Sequence, residues 1–272
     1  FGHRVYRTYD PRAKILREMA KAAAPELHRT AARTEELALK ILHEAHPERP
    51  NATNVDFWAS VVLTGAGEKF FSAGANIRML ASVDPTFKYF FCLHANEMLL
   101  RLEHTPKLVI AALNGHTVGG GLEIAMAADL RIARKDAGKI GLPEVNLGVL
   151  PGTGGTQRLS RLVGKSKAIE LMVTGNTFSF EEAKEMGIVN DIFERDGFME
   201  NVMEYARQFC PPNKAAMAVG HIKRSVQTGW ELPLESALAI ERELQSLLFK
   251  SQDAKEGLNA YVEKRPATFT AK

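Results

Sequence analysis

A short apolar run, Lys107–Leu113 (KLVIAAL), lies between Pro106 and Asn114 and limits the architectures open to this chain. A run of this length, rich in branched side chains, is typical of a strand buried on both faces, as in a parallel sheet. Three consecutive glycines, 119–121, then open a predicted helix over residues 122–128. Further predicted strands are 61–64, 130–133 and 139–141. Further predicted helices are 25–46, 87–103, 198–209, 215–228 and 232–250, and almost everything after residue 155 reads as helical. The sequence therefore predicts an α/β core followed by a C-terminal helical lobe.

The composition suits one large domain or a core domain with an appended lobe. Of the 272 residues, 45% are hydrophobic and 25% are charged, which excludes a disordered or collagen-like chain. The formal net charge is only +3, too small a surplus for a protein that coats nucleic acid. Polar and charged residues interrupt the longest apolar region, 108–130, so no membrane span is expected. Cys92 and Cys210 lack the spacing of a disulfide framework or a thiolate zinc site, which favours a reducing compartment.

The glycine-rich segments fail the tests for several common motifs. A dinucleotide fingerprint needs G-x-G-x-x-G, yet Phe70 follows one glycine pair and Gln157 follows the other where the third glycine belongs. Ser72 lies in F-S-A-G-A and not in the G-x-S-x-G turn that exposes a nucleophilic hydroxyl. His43 and His46 have no third ligand nearby, so no metal site is predicted.

Three segments are poorly explained by packing alone. In the first, residues 71–76 (FSAGAN), small residues after a strand let a ligand approach the backbone. The second, residues 114–123 (NGHTVGGGLE), has unpaired N–H groups at a helix start, with the Glu123 carboxylate just inside. The third, residues 142–144 (LPE), places Glu144 ahead of a glycine-rich run, PGTGGTQRL. Taken singly, each segment also reads as a tight turn, a helix start or a loop acid.

Together these segments suit chemistry on a carbonyl whose oxygen becomes negative. Two backbone N–H groups at a helix N-terminus can stabilise an enolate-like oxyanion. In a partly desolvated pocket, one carboxyl group can be kept protonated while a second stays basic. The sequence therefore predicts an oxyanion hole with two carboxylates that move protons.

At these residues the chain resembles the crotonase superfamily, and in particular its enoyl-CoA hydratase/isomerase family. The resemblance runs from about Val61 to the C-terminus. Its signatures, in chain order, are VVLTGAGEKFFSAGAN, N-G-x-x-x-G-G-G-L-E, L-P-E, P-G-x-G-G-T-Q-R-L and A-Y-V-E-K-R-P. The resemblance implies a crotonase-like spiral of β-β-α units with a C-terminal helical trimerisation region. It implies three parts: 1–58, a divergent N-terminal segment of the core; 59–195, the core with the active site; and 196–272, a C-terminal helical lobe.

The resemblance also implies an acyl-CoA thioester substrate and a homotrimer or hexamer. The N–H groups of Ala75 and Gly120 would form the oxyanion hole for the thioester carbonyl. Glu123 would help to take a proton from water as the oxygen attacks the β-carbon, and Glu144 would deliver a proton to the α-carbon. The remaining substrate-binding residues that it implies are Ala73, Gly74, Arg78, Gly119, Lys264 and Phe269. It implies no metal and no separate cofactor, because coenzyme A is part of the substrate.

Two departures from the family pattern affect these expectations. Asn76 stands where the family usually has Asp, which removes a charge beside the oxyanion loop without removing its backbone donor. In residues 1–58, the customary opening strands and their L-N-R-P-x-x-x-N-A-L turn are not recognisable. Part of the adenine-binding surface normally comes from that region, so the sequence leaves open which CoA contacts residues 1–58 make.

The expected reaction is the reversible addition of water to a 2-enoyl-CoA, giving a 3-hydroxyacyl-CoA. One alternative is another crotonase reaction, either double-bond isomerisation or thioester hydrolysis, and the presence of both Glu123 and Glu144 favours hydration. The other is an RNA-binding member of the family, which the mixed charges of residues 25–46 support little. The acyl chain length is open, since four apolar residues either line an acyl tunnel or pack in the core: Phe87, Phe90, Phe91 and Met98. The expected location is the cytoplasm, or the mitochondrial matrix in a eukaryote.

Overall fold

The computed structural model describes residues 60–271. The predicted helix over 25–46 and the predicted N-terminal part, 1–58, lie outside the described residues. Within the described part, seven strands are present: β1 Ser60–Thr64, β2 Phe70–Ser72, β3 Leu108–Leu113, β4 His116–Val118, β5 Leu130–Arg134, β6 Ile140–Gly141 and β7 Asp191–Phe193.

The strands form two parallel sheets. The larger sheet has the order β1-β3-β5-β7, and the smaller has the order β2-β4-β6. From β1 to β6, successive strands along the chain belong alternately to the larger and the smaller sheet. Each strand of the larger sheet in this range is therefore followed by a short strand of the smaller sheet, and a helix comes next. This arrangement is the repeated β-β-α unit that the resemblance to the crotonase superfamily implies.

Strand β3 is the central buried strand of the larger sheet. Val62 of β1 lies opposite Ile110, and Ala112 lies opposite Ile132 of β5. Side chains 109–113 have no exposed surface. Because both neighbours are parallel strands and both faces are covered, every position of β3 is apolar, as the KLVIAAL pattern indicates.

Ten α-helices lie among the described residues: α1 Ile77–Leu80, α2 Pro85–Glu103, α3 Gly120–Met126, α4 Gly155–Val163, α5 Lys165–Thr174, α6 Phe180–Glu185, α7 Phe198–Arg207, α8 Ala216–Gly229, α9 Leu234–Leu248 and α10 Gln252–Val262. Helix α2 begins two residues before its predicted start. The Asp84 side chain accepts a hydrogen bond from the Phe87 N–H at 2.8 Å, and Pro85 fits the first helical position. None of the helices among residues 60–271 is long and apolar enough to cross a bilayer.

Three strands contradict the predicted secondary structure. Strands β2 and β4 lie in segments read as glycine-rich loops, and β7 lies in a region read as helical. Each of these strands has only three residues. A strand this short shows no readable alternation, and its existence depends on a partner strand that is distant in the sequence.

The short helix α3 is anchored at its C-terminal end by a buried guanidinium. Arg131, on β5, donates hydrogen bonds to the Ala128 carbonyl at 2.7 Å and to the Ile188 carbonyl at 2.6 Å. Burial lowers the pKa of Arg131 to about 10. Carbonyls left over at a helix end need such donors. This contact fixes α3 relative to the larger sheet.

The helices after residue 196 are tied to the core by a second buried cation. Lys223 of α8 forms an ion pair with Asp129 at 2.8 Å and donates to the Lys107 carbonyl at 2.9 Å. After α10 the tail turns back, and the Asp253 carboxylate accepts hydrogen bonds from the N–H groups of Thr270 at 2.8 Å and Ala271 at 2.9 Å. The tail is therefore fixed against α10.

Candidate active site

The loop after β2 lies directly against the first turn of α3. Gly74 has a φ of +82°, and a Cβ placed on it would lie 2.7 Å from the Gly120 nitrogen. A Cβ placed on Gly120 would lie 3.2 Å from the Gly74 Cα and 3.7 Å from the Ala75 nitrogen. Side chains at these two glycines would push the loop and the helix apart. This approach brings the N–H groups of Ala75 and Gly120 together.

Both of these N–H groups are available to a ligand. Gly119 has a φ of +57° and uses its own N–H to bond the Gly141 carbonyl of β6 at 2.9 Å. Among residues 60–271, neither the Ala75 N–H nor the Gly120 N–H donates to another backbone oxygen. Gly120 is also the first residue of α3, where the N–H groups have no intrahelical acceptor and the helix dipole favours negative charge.

Asn76 follows the loop of residues 73–75 and caps α1. Its side-chain oxygen accepts hydrogen bonds from the Arg78 N–H at 3.0 Å and the Met79 N–H at 3.3 Å. Asn is as good an N-cap as Asp. The Asp-to-Asn departure therefore keeps the cap and removes only the charge.

Glu123 is a buried carboxylate held by the loop before α4. Its Oε1 accepts hydrogen bonds from the Thr153 N–H at 2.8 Å and the Gly155 N–H at 2.7 Å. Its Oε2 accepts a hydrogen bond from the Thr153 hydroxyl. A Cβ placed on Gly155 would lie 3.0 Å from Oε1, and one on Gly120 would lie 3.8 Å from Oε2. Oε2 is therefore the carboxylate oxygen that lies near Gly120.

The Glu144 side chain also lies next to the first turn of α3, but its surroundings differ from those of Glu123. It begins a 3-10 turn, Glu144–Leu147, directly after Pro143. A Cβ placed on Gly119 would lie 3.0 Å from the Glu144 Oε1. Its Oε2 is buried and has no hydrogen-bond partner among the described residues. Burial raises the pKa of Glu144, and the nearby charge of Glu123 raises it further. Glu144 is thus suited to hold a proton.

A cavity of about 320 Å³ joins these groups. At its polar end the two carboxylates face Thr153 and the backbone of residues 73–75 and 119–120. The remaining wall is mostly apolar and includes Phe91, Met98, Leu99, Ile124, Leu147 and Leu150. A pocket with an apolar body and a few convergent polar groups is typical of a small-molecule site. Of the four residues proposed for an acyl tunnel, Phe91 and Met98 line the cavity, whereas Phe87 and Phe90 are exposed outside it.

Three predicted substrate-binding residues do not line this cavity. Arg78 is exposed on α1. Lys264 follows α10 with a φ of +56°. The Phe269 N–H donates to the Pro212 carbonyl at 3.2 Å, and its ring packs on Gly257. Their contacts with coenzyme A stay predictions.

Two polar residues, Thr153 and Lys88, are among the parts of the cavity wall that sequence reasoning missed. Thr153 occupies the variable position of P-G-x-G-G, and its place within this glycine-rich run was the only sequence feature that could have indicated a role. Lys88 lies one turn before Phe91 on α2, and its ammonium nitrogen is 5.0 Å from the centre of that ring. Among residues 60–271, no group of three or more His, Cys, Asp or Glu side chains is placed to hold a metal ion.

The comparisons with known proteins agree on one family for most of the chain. Residues 50–272 match the family model described as enoyl-CoA hydratase/isomerase. A short-chain-enoyl-CoA hydratase from Clostridium acetobutylicum is 41% identical over 206 residues, which cover 76% of this chain and 78% of the relative. A crotonyl-CoA hydratase from Syntrophomonas wolfei is 35% identical over 250 residues, which cover 86% of this chain and 95% of the relative. The crystal structure of an enoyl-CoA hydratase from Geobacillus kaustophilus matches with a TM-score of 0.76 at 51% identity, covering 78% of this chain and 80% of that one.

The beginning of the chain matches a different family model. Residues 1–70 match the C-terminal domain of citrate synthase. This match covers the segment in which the opening strands of the crotonase pattern are not recognisable, and it overlaps the larger match over residues 50–70.

Proposed function

The chain belongs to the enoyl-CoA hydratase/isomerase family, and on this basis we propose that it is an enoyl-CoA hydratase, which adds water reversibly to a 2-enoyl-CoA to give a 3-hydroxyacyl-CoA. One observation carries the choice of reaction: two carboxylates with opposite surroundings, Glu123 and Glu144, face one pair of backbone N–H groups. Hydration needs a base for the water and an acid for the carbon, and this cavity has one group suited to each task.

The thioester oxygen binds between the N–H groups of Ala75 and Gly120 in the proposed complex. As water adds to the β-carbon, negative charge moves onto this oxygen and forms an enolate. Donors that are already in place stabilise that charge without reorganisation, and the N-terminus of α3 adds a favourable dipole. The small residues Ala73, Gly74 and Gly119 let the thioester approach the backbone.

The protons move between the two carboxylates and the substrate. Ionised Glu123 accepts a proton from the water as the water oxygen forms its bond to the β-carbon. Protonated Glu144 then gives its proton to the α-carbon as the enolate collapses to the thioester. The reverse reaction uses the same groups in exchanged roles, and no redox or metal step is needed.

The coenzyme A part of the substrate binds outside the cavity in this proposal. Arg78 and Lys264 supply positive charge to its phosphates, and Phe269 packs near the adenine. The chain forms a homotrimer or a hexamer of two trimers through its C-terminal helices. Exposed apolar side chains on α8 and α10 support such contacts: Ile222, Val226, Leu258, Tyr261 and Val262.

The part of the chain before residue 59 is proposed to have another origin than the crotonase core. The citrate synthase match over residues 1–70 supports this, and residues 59–195 and 196–272 then provide the core and the helical lobe. A protease site inserted after Asn54 in the full chain tests the idea. Cleavage should leave hydratase activity with the C-terminal product, whereas loss of activity on cleavage would make the front of the chain part of the enzyme.

Incubation with crotonyl-CoA tests the proposed reaction. We expect the absorbance of the conjugated thioester to fall, and mass spectrometry to show a product heavier by one water. Release of free coenzyme A thiol would identify a thioester hydrolase. With a longer 2-enoyl-CoA, a product of unchanged mass would identify an isomerase. The chain with Glu123→Gln and Glu144→Gln combined is the matched control.

A further inference from the structure

Thr153 makes two separate hydrogen bonds to Glu123, one to each carboxylate oxygen. Its backbone N–H donates to Oε1 at 2.8 Å, and its hydroxyl donates to Oε2. The side chain also lies in the wall of the cavity. The family signature P-G-x-G-G leaves this position variable, so the motif assigns Thr153 no role.

The two oxygens of Glu123 differ in what they can do. Oε1 faces two backbone N–H groups, which donate hydrogen bonds and cannot accept them. A proton on Oε1 would displace one of these bonds. Oε2 is nearer to Gly120, and among residues 60–271 its only hydrogen-bond partner is the Thr153 hydroxyl. The proton that Glu123 takes from water therefore belongs on Oε2.

We propose that Thr153 is a positioning residue that holds Oε2 of Glu123 toward the substrate in both protonation states; this inference rests on the proposed hydratase function. A hydroxyl donates to the carboxylate before water attacks. After proton transfer, rotation about its C–O bond lets the same hydroxyl accept a hydrogen bond from the protonated Oε2. A backbone N–H could serve only the first of these states.

Two substitutions in the full chain separate the hydroxyl from the shape of the side chain. Thr153→Val keeps the branched shape and removes the hydroxyl, whereas Thr153→Ser keeps the hydroxyl. We expect Thr153→Val to lower kcat for crotonyl-CoA about 10- to 100-fold, the range for one hydrogen bond to a charged group, with KM changed less than about twofold. Thr153→Ser should recover most of the loss. Thr156→Val is the matched control, because within residues 60–271 the Thr156 hydroxyl has only the Gln157 side chain as a hydrogen-bond partner.

A double-mutant cycle gives a readout that a purely structural role would not change. In the Glu123→Gln background, Thr153→Val should cause little further loss, because the two residues act as one unit.

The outcomes distinguish this inference from the proposed function. If the parent chain fails to hydrate crotonyl-CoA, the proposed function is wrong. If the parent is active and Thr153→Val keeps the parent kcat, the role of Thr153 is wrong. Equal losses in the Val and Ser variants, or an equal loss in Thr156→Val, would also overturn it, because they would assign the effect to loop packing. A loss in Val that Ser repairs supports it.

Discussion

Glu123 and Glu144 face the same cavity, but one is surrounded by hydrogen-bond donors and the other is not. Glu123 accepts three hydrogen bonds from the loop at Thr153 and Gly155. Glu144 has one buried oxygen without a partner among the described residues, and burial raises its pKa. Two identical side chains thus have surroundings that suit them to different roles in the proposed reaction.

The largest expected effect comes from removing either carboxylate. We expect Glu123→Gln and Glu144→Gln each to lower kcat for crotonyl-CoA about 10²–10⁴-fold, since an amide cannot exchange the proton. KM should change much less, because neither group contributes most of the thioester binding. Steady-state kinetics with circular dichroism as a folding control gives the measurement. A folded variant with close to parent activity would remove that residue from the proton transfer.

Removal of one of the two N–H groups, those of Ala75 and Gly120, should have the next largest effect. Gly120→Pro deletes one donor of the oxyanion hole, and we expect turnover to fall by about 10²–10³-fold. Hydration and dehydration pass through the same enolate, so the loss of rate should appear in both directions of the reaction. Gly120→Ala is the matched control, because it keeps the N–H and adds only the Cβ, which would lie 3.2 Å from the Gly74 Cα. A folded Gly120→Pro protein with normal rates would contradict the role of this donor.

Substitution of the two carboxylates should change the free energy of unfolding in opposite directions. In Glu123→Gln the acceptor of the hydrogen bonds from Thr153 and Gly155 loses its negative charge, and we expect a loss of about 1–3 kcal/mol in the free energy of unfolding, because hydrogen bonds to a charged group are stronger than those to a neutral amide. Glu144→Gln removes a carboxyl group whose ionised form is disfavoured by burial, so this variant should be more stable than the parent at neutral pH. Urea unfolding at pH 7 provides the comparison. Equal effects of the two substitutions would contradict the different surroundings.

The same argument fixes the pH dependence of the Glu144 effect. Its pKa is raised in the folded protein above the ordinary value of 4.5. The stability that its protonated form contributes is therefore present below that value and is lost as the pH rises through the folded pKa. The advantage of Glu144→Gln should vanish below about pH 4.5, and an advantage that persists there would have another cause.

Much of the fold and of the candidate site is predictable from the sequence, and there is a physical reason why the rest is not. The buried strand β3, the glycines at 119–121 and both carboxylates carry strong local signals. Strands β2 and β4 are too short for such a signal and depend on distant partners. The role of Thr153 depends on a hydrogen bond across 30 residues to Glu123 at a position that the family leaves variable. Local patterns indicate which groups are present, whereas their surroundings follow from tertiary contacts.

Lys88 provides the smallest and most selective test of the comparison. It lies in the cavity wall, and its positive charge lowers the pKa of Glu144 against the larger effect of burial. Glu144 must be protonated to act as the acid, so activity is lost as the pH rises through its pKa. Lys88→Gln should therefore move the alkaline limb of kcat/KM to higher pH, by less than about one unit, while the acid limb stays in place. Lys69→Gln is the matched control, since Lys69 also lies over a phenylalanine ring, 5.4 Å from its centre, but not in the cavity wall. If Lys88→Gln instead moves the acid limb, its charge acts on Glu123, and the division of roles between the two carboxylates would have to be reversed.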